Sequence, residues 1–286
     1  MIRKLGRTNY KIYAMDVESH NDPESIAKKE TSIWLGCLLD ENATVDDEHS
    51  YFYTIDEFLD RIIDLSSPKR NKSHGTRLCK NVAIYIYNLS FEWSFILPKL
   101  LERGFKYSPL ISKTDGMVYN SISTKSVSSV WEVTIKAGSK FGFIRFRDLA
   151  KIFGGGLGKV AASFNLPTQK GEIDYRLNRL HNHVVTKEEK QYCFNDTRII
   201  VDILLEMDKR DDKDFWKSLS MSSYSMRKLI KFGYGRYRKP YAKFREQYPE
   251  LDAEESAFLR ESVEGGLCYA SPKYQFMEMD CKIGHV

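Results

Sequence analysis

Two carboxylates in Met15-Asp16-Val17-Glu18-Ser19 stand two residues apart at the end of the run Tyr10-Lys11-Ile12-Tyr13-Ala14-Met15, whose β-branched and aromatic content predicts a strand. A strand's period of two turns Asp16 and Glu18 to the same side. Neighbouring carboxylates repel unless a cation lies between them, and the hard divalent ions Mg²⁺ and Mn²⁺ take oxygen ligands, so the pair is a candidate half of a metal site. A solvated acidic pair on a surface strand is the alternative.

The chain around this pair has 286 residues, long enough for one large domain or one domain and part of another. Its 44 Lys and Arg against 39 Asp and Glu leave a net charge of +5, which permits a polyanionic partner without demanding one. Cys37, Cys79, Cys193, Cys268 and Cys281 form no C-x-x-C pair and no ligand spacing with the histidines. That argues against a disulfide framework and a zinc site and predicts a reducing, cytoplasmic setting. No uncharged apolar run reaches the length of a bilayer span, so no membrane partner is expected.

Strands are predicted near 10–16, 31–39, 51–54, 82–87, 117–123, 130–136 and 141–147. The 82–87 strand, apolar on both faces, is the central one. A helix opens at Thr54 with Glu57 as a capping box, and Ile55, Phe58, Leu59, Ile62 and Ile63 form its apolar stripe. Helices follow from about 92 to 103 and 158 to 164, after the punctuation of Gly154-Gly155-Gly156. The longest runs from about 187 to 208 behind a second box, Thr186 and Glu189. The fold class is α/β, a mixed sheet with helices on its faces.

These elements give three further stretches a place. Asn88-Leu89-Ser90-Phe91-Glu92 leaves the central strand, where ligands of α/β sheets gather. On the long helix Tyr192 and Asp196 are four apart and share a face, beside the stripe Ile199, Ile200, Ile203 and Leu204 that can seat the helix on the sheet. From Arg227 to Arg245 eight Lys or Arg and no acid alternate with Phe232, Tyr234, Tyr237, Tyr241 and Phe244, a composition suited to a nucleic-acid strand or to a solvated basic face.

The D-x-E of Asp16 and Glu18, the N-x-x-F-acid of Asn88 to Glu92 and the Y-x-x-x-D of Tyr192 and Asp196 resemble the three exonuclease motifs of DnaQ-like proofreading nucleases. Lys170-Gly171-Glu172-Ile173-Asp174-Tyr175 is similar to the K-G-D-I-D-Y segment of protein-primed family B DNA polymerases of small bacteriophages and linear plasmids, and Glu264-Gly265-Gly266 is similar to their Tyr-x-Gly-Gly linker. The resemblance implies a ribonuclease-H-like exonuclease sheet over 1–210. Residues 211–286 would be a linker and the opening segment of a polymerase domain.

It also implies roles. Asp16, Glu18, Glu92 and Asp196 would hold two divalent ions, Mg²⁺ or Mn²⁺, for 3′→5′ hydrolysis of single-stranded DNA ends. Tyr192 would orient the attacking water, and Lys170 would stabilise charge on the phosphate. Ser19, Asn88, Phe91, Tyr175, Gly265 and Gly266 would contact DNA. Glu92 departs from the usual Asp by one methylene, and the linker motif lacks its tyrosine. The polymerase motifs D-x-x-S-L-Y-P, K-x-x-x-N-S-x-Y-G and Y-x-D-T-D are absent, so no nucleotide addition is expected of this stretch, whether it comes from a truncated or a split gene. The implied partners are single-stranded and primer-template DNA and a terminal priming protein, in the cytoplasm of a bacterial host. A catalytically silent DNA-binding module and a stand-alone nuclease acting on RNA are the alternatives.

Overall fold

The computed structural model describes residues 1–5, 8–20, 32–70, 77–78, 81–123, 130–174, 177, 179 and 183–262. They divide into two compact units, the first Met1–Lys228 and the second beginning at Leu229. The first is built on a nine-stranded mixed sheet. Its long strand β2 (Thr8–Ser19) forms a hairpin with β1 (Ile2–Leu5) at its start and pairs antiparallel with β3 (Ile33–Leu39), whose outer neighbour is β4 (Tyr51–Phe52). On its other side β2 runs parallel to β7 (Val82–Ile86), and β7 runs parallel to β11 (Ile144–Asp148). Beyond β11 lie β10 (Val130–Lys136) and β9 (Val118–Ser123), both antiparallel to their inner neighbours, and β8 (Lys106–Tyr107) at the edge. Separately, β5 (Lys69–Arg70) pairs antiparallel with β6 (Arg77–Leu78).

Every residue of β3 and β7 is buried, as expected of strands covered on both faces. Alternation along β2 decides what each face meets. Met15 and Val17 enter the core formed with α1 (Ile55–Ser66) and α2 (Leu89–Glu102), while Tyr10, Ile12 and Ala14 enter the core under α4 (Leu157–Ser163) and α5 (Lys187–Lys209). Asp16 and Glu18 continue the second set, so they face α5. Ile199, Ile200, Ile203 and Leu204 of α5 are almost wholly buried, each worth about 1.5–3 kcal/mol of transfer from water, which seats the helix firmly over the strand acids.

The predicted strands and long helices are present, with shifted ends. Thr54 Oγ1 accepts the Glu57 N–H at 3.1 Å as predicted, but the Glu57 carboxylate reaches back to the Tyr53 N–H at 2.7 Å, one residue before the cap. At α5 the box is complete, with Glu189 N–H on Thr186 Oγ1 and Thr186 N–H on Glu189 Oε2. Helix α2 starts at Leu89 rather than near 92, because Asn88 adopts a left-handed conformation (φ 78°) that turns the chain directly from strand into helix. The sequence pattern did not reveal β1, β8, the short α3 (Ala150–Phe153) or α6 (Lys213–Lys217), whose Phe215 and Trp216 are buried in the first unit's core. Helix α7 (Met221–Tyr234) follows. In the second unit α8 (Pro240–Gln247) and α9 (Ala253–Ser262) complete the described chain, with the Phe244 ring against those of Tyr234 and Tyr248. Among the described residues no helix is long and apolar enough to cross a membrane.

Gly36 of β3 pairs with Val17, between the two strand acids, and a Cβ there would stand inside the Phe52 ring. Gly36→Ala is expected to cost about 1–3 kcal/mol by overpacking, lowering Tm by roughly 2–4 °C per kcal/mol, with part of the loss recovered by adding Phe52→Leu. Thermal unfolding of the two variants checks this; an unchanged Tm for the single variant would show that the ring yields freely.

Candidate functional site

Strands β2 and β7 remain paired only to Ala14 and Tyr85. Past that point β2 continues alone beside β3 while the chain leaves β7 for α2, and the gap at the carboxyl ends of two parallel strands becomes a cleft of about 410 Å³. Asp16, Glu18 and Ser19 form one wall, Asn88, Phe91 and Glu92 another, and Lys170, Tyr192 and Asp196 a third. The structure thus brings together nine of the residues singled out from sequence. Tyr175, Gly265 and Gly266 lie outside the described residues.

Each position has a local cause. A register shift between Glu18 and Ser19 on β2 marks a bulge, the usual device for re-aiming a strand's side chains. Glu92 sits in the first turn of α2, where the helix dipole favours an anion, yet it is 2 % exposed. Asp196, at 3 % exposure, is on the sheet-facing side of α5 one turn beyond buried Tyr192. Lys170 approaches from the segment after α4, its Nζ 3.1 Å from Asp196 Oδ2. Gly171 permits that approach, since a Cβ there would press the Tyr192 ring at 3.2 Å. Gly154 and Gly155 take left-handed conformations that suit glycine, and their carbonyls lie 3.0 and 2.9 Å from the Tyr87 hydroxyl at the cleft wall.

The electrostatics follow from crowding and burial. Burial, then the charge of Asp196, pushes the Asp16 carboxyl up to about 7. Burial, then the charges of Asp16 and Asp196, pushes Glu18 up to about 8. Glu92 is raised by burial and next by Asp16. Asp196 is raised by burial, against the opposing pull of Lys170. Glu92 Oε2 and Asp196 Oδ1 are buried without a hydrogen-bond partner. Orphaned carboxylate oxygens of this kind, together with an all-oxygen donor set, suit hard divalent cations. The fit concerns donor type and unmet charge: among the described residues no three His, Cys, Asp or Glu side chains are gathered closely enough to hold a metal ion as they stand.

Sequence reasoning missed two residues. Asp148, 2 % exposed at the end of β11, accepts the N–H of Asn88 at 3.0 Å and of Ala150 at 2.9 Å, and so sets the left-handed turn from which α2 departs. An acid closing a strand parallel to the central one was the available signal. Arg179, 4 % exposed, lines the cleft from a segment without periodicity, where no pattern distinguishes it.

No protein-family model matches the chain. It is 29 % identical over 203 residues to the DNA polymerase of Bacillus phage M2, an alignment covering 68 % of this chain and 32 % of that one. To the DNA polymerase of Bacillus phage phi29 it is 33 % identical over 129 residues, covering 43 % and 21 %. The chain spans about a third of the length of the curated relatives it matches. Among solved structures it superposes on phi29 DNA polymerase complexed with primer-template DNA with a TM-score of 0.67 at 22 % identity, over 93 % of this chain and 41 % of that one. The same polymerase complexed with single-stranded DNA gives 0.67 at 22 %, over 92 % and 41 %. The shared fold is a mixed α/β sheet flanked by helices.

The raised carboxyls carry a pH signature. Relative to ordinary values of 3.8 and 4.5, Asp16 and Glu18 bind protons more tightly folded than unfolded. Their contribution to stability is therefore full below about pH 4 and is lost as pH rises through about 7 to 8. Asp16→Asn combined with Glu18→Gln should raise Tm over the unsubstituted chain at about pH 8.5 and change it far less at about pH 5. A Tm difference independent of pH would contradict the assigned crowding.

Proposed function

For a chain whose relatives are phi29-type phage DNA polymerases, we propose that the cleft is a metal-dependent 3′→5′ exonuclease centre acting on single-stranded DNA ends. The chain would be the proofreading portion, about residues 1–210, of a protein-primed family B polymerase, with the linker and the opening of the polymerase domain after it. The observation that carries the reading is the convergence of four carboxylates from β2, α2 and α5 on one cleft, two of them buried with an orphaned oxygen.

Asp16, Glu18, Glu92 and Asp196 would hold two divalent ions, Mg²⁺ or Mn²⁺. Such ions supply a hydroxide-like nucleophile at neutral pH and stabilise the leaving 3′-oxygen. The chain's own groups do the rest. Tyr192, whose hydroxyl lies against Asp196, orients the attacking water. Lys170 keeps a partly exposed ammonium at the cleft edge, a mobile point charge for the scissile phosphate. Phe91, 42 % exposed and edge-on to Phe95, offers a ring face on which a terminal base can stack, and Ser19 and Asn88 flank the strand. The basic, aromatic-rich residues 227–245 would make DNA contacts of their own, with primer-template DNA and a priming protein as partners of the longer polymerase. Without the polymerase motifs, this stretch adds no nucleotides.

A second reading draws on a specific feature. The Lys170–Asp196 ion pair, the longer Glu92 and the absence of three tightly gathered ligands among the described residues also suit a catalytically silent module that only holds DNA. Incubation with single-stranded DNA labelled at its 5′ end separates the two. In Mg²⁺ or Mn²⁺ the strand should shorten from its 3′ end, and with EDTA it should stay intact. Asp16→Ala with Glu18→Ala should leave bound DNA whole, and Lys170→Met should slow shortening by roughly 10²–10³-fold. A bound strand that the unsubstituted chain leaves intact in both metals would sink the nuclease reading in favour of the silent module.

A further inference from the structure

Arg179 is a buried cation at the cleft, and its contacts reach the β2–β3 side and the α5 side. Its Nε donates to Glu189 Oε1 at 2.7 Å, and its Nη1 to the carbonyls of Asp174 at 3.1 Å and Leu177 at 3.4 Å. The guanidinium lies 5.1 Å from the centre of the Trp34 ring, and the Trp34 Nε1–H donates to the Ser19 carbonyl at 3.1 Å. The Arg179 carbonyl accepts from His20 Nδ1 at 2.5 Å, on the residue that follows β2. Glu189 is the third residue of α5, held by Thr186 and by His183 Nε2 at 2.7 Å, and Tyr192 and Asp196 follow on the same helix.

The side chain therefore joins the start of β3, the first turn of α5 and the carbonyls of Asp174 and Leu177, while the Arg179 backbone carbonyl meets His20 just past β2. Arginine suits this task because its planar fork donates in several fixed directions at once, which a lysine ammonium does not reproduce. The segment from Lys170 to Asp174 has no secondary structure of its own. Lys170 of this segment pairs with Asp196, Ile173 packs against the core under α5, and the Asp174 carbonyl accepts from Arg179 Nη1 and from the Leu177 N–H.

We propose that Arg179 is a positioning residue for the exonuclease reaction, locking the Lys170–Asp174 segment at a fixed distance from Tyr192 and Asp196. The inference rests on the nuclease reading above. Because Lys170 and Tyr192 act on the reacting phosphate while Ser19, Asn88 and Phe91 hold the DNA from the opposite walls, loosening the lock should lower kcat and spare KM. A displacement of about 1 Å is enough for a loss on the order of 100-fold.

Arg179→Met tests this in the full chain with two readouts. The kcat on single-stranded DNA with Mn²⁺ should fall at least roughly tenfold, with KM within about threefold. Amide hydrogen exchange should quicken over residues 170–174 while the β7 amides keep their protection. Arg179→Lys should recover only part of kcat. If Arg179→Met does not fold, Glu189→Gln takes its place, since Gln still serves the capping box but leaves the guanidinium without its ionic partner, and the same local loosening is expected. Unchanged kcat and unchanged exchange in the variant that folds would overturn the proposal, as would equal loss of protection throughout the sheet, which marks a merely structural role. If the unsubstituted chain leaves DNA intact, the nuclease reading fails. The exchange arm then decides separately: quickening confined to 170–174 keeps the lock, and its absence removes it.

Discussion

Crowded negative charge at the open end of two parallel strands is the constraint on which the rest of the molecule depends. Four carboxylates line one cleft, Glu92 and Asp196 buried and Asp16 and Glu18 half-buried, and burial is the leading cause that raises every one of them. Such an arrangement lowers the stability of the fold at neutral pH, so the surrounding elements must be held by interactions strong enough to bear it. The two apolar cores, one on each face of the sheet, supply that excess. β3 and β7 contribute no exposed residue, and α5 buries four aliphatic side chains directly behind its acid.

Geometry answers what burial alone leaves open. Glu92 gains from the α2 dipole, and the direction of α2 is decided one residue earlier by Asn88, whose left-handed backbone is held by Asp148. Asp196 gains from Lys170, a pair that solvent screens and that contributes under about 1 kcal/mol net. A weak pair suits the role proposed for Lys170, in which it exchanges Asp196 for a phosphate. The buried Arg179–Glu189 pair is of the other kind. Both partners are nearly inaccessible, further hydrogen bonds satisfy each of them, and removing either would leave a buried charge uncompensated.

Much of this was legible in the residues, and what was not has a physical reason. Asp16 and Glu18 could be read because a strand's period of two is a strict rule, and Tyr192 with Asp196 because helical spacing is nearly as strict. Thr186 and Glu189 announced the start of α5 because a capping box is a local, reciprocal device. Arg179 was invisible: its partners come from β3, α5 and a loop, so nothing near it in sequence foretells its burial. Short edge strands such as β1 and β8 escaped for a related reason, since four or two residues carry too little pattern and owe their state to the neighbour they pair with. Asp148 stood between these cases, visible as an acid on a strand but without the second acid that made the β2 pair noticeable.

Glu92 draws these threads together. One methylene more than aspartate is a large change if the backbone is fixed and a small one if the helix start is set back to match. The start of α2 is not fixed by the motif itself, because Asn88 has no side-chain cap bond to the helix. It is fixed by the Asn88 N–H, which meets across the parallel strands a carboxylate oxygen of Asp148 that the N–H of Ala150 holds locally. The reach of the Glu92 carboxyl into the cleft is therefore the sum of a side-chain length and a backbone offset set by a residue outside the motif. A substitution at Glu92 changes only the first of these, so the consequence of the longer acid belongs to Glu92, Asn88 and Asp148 jointly.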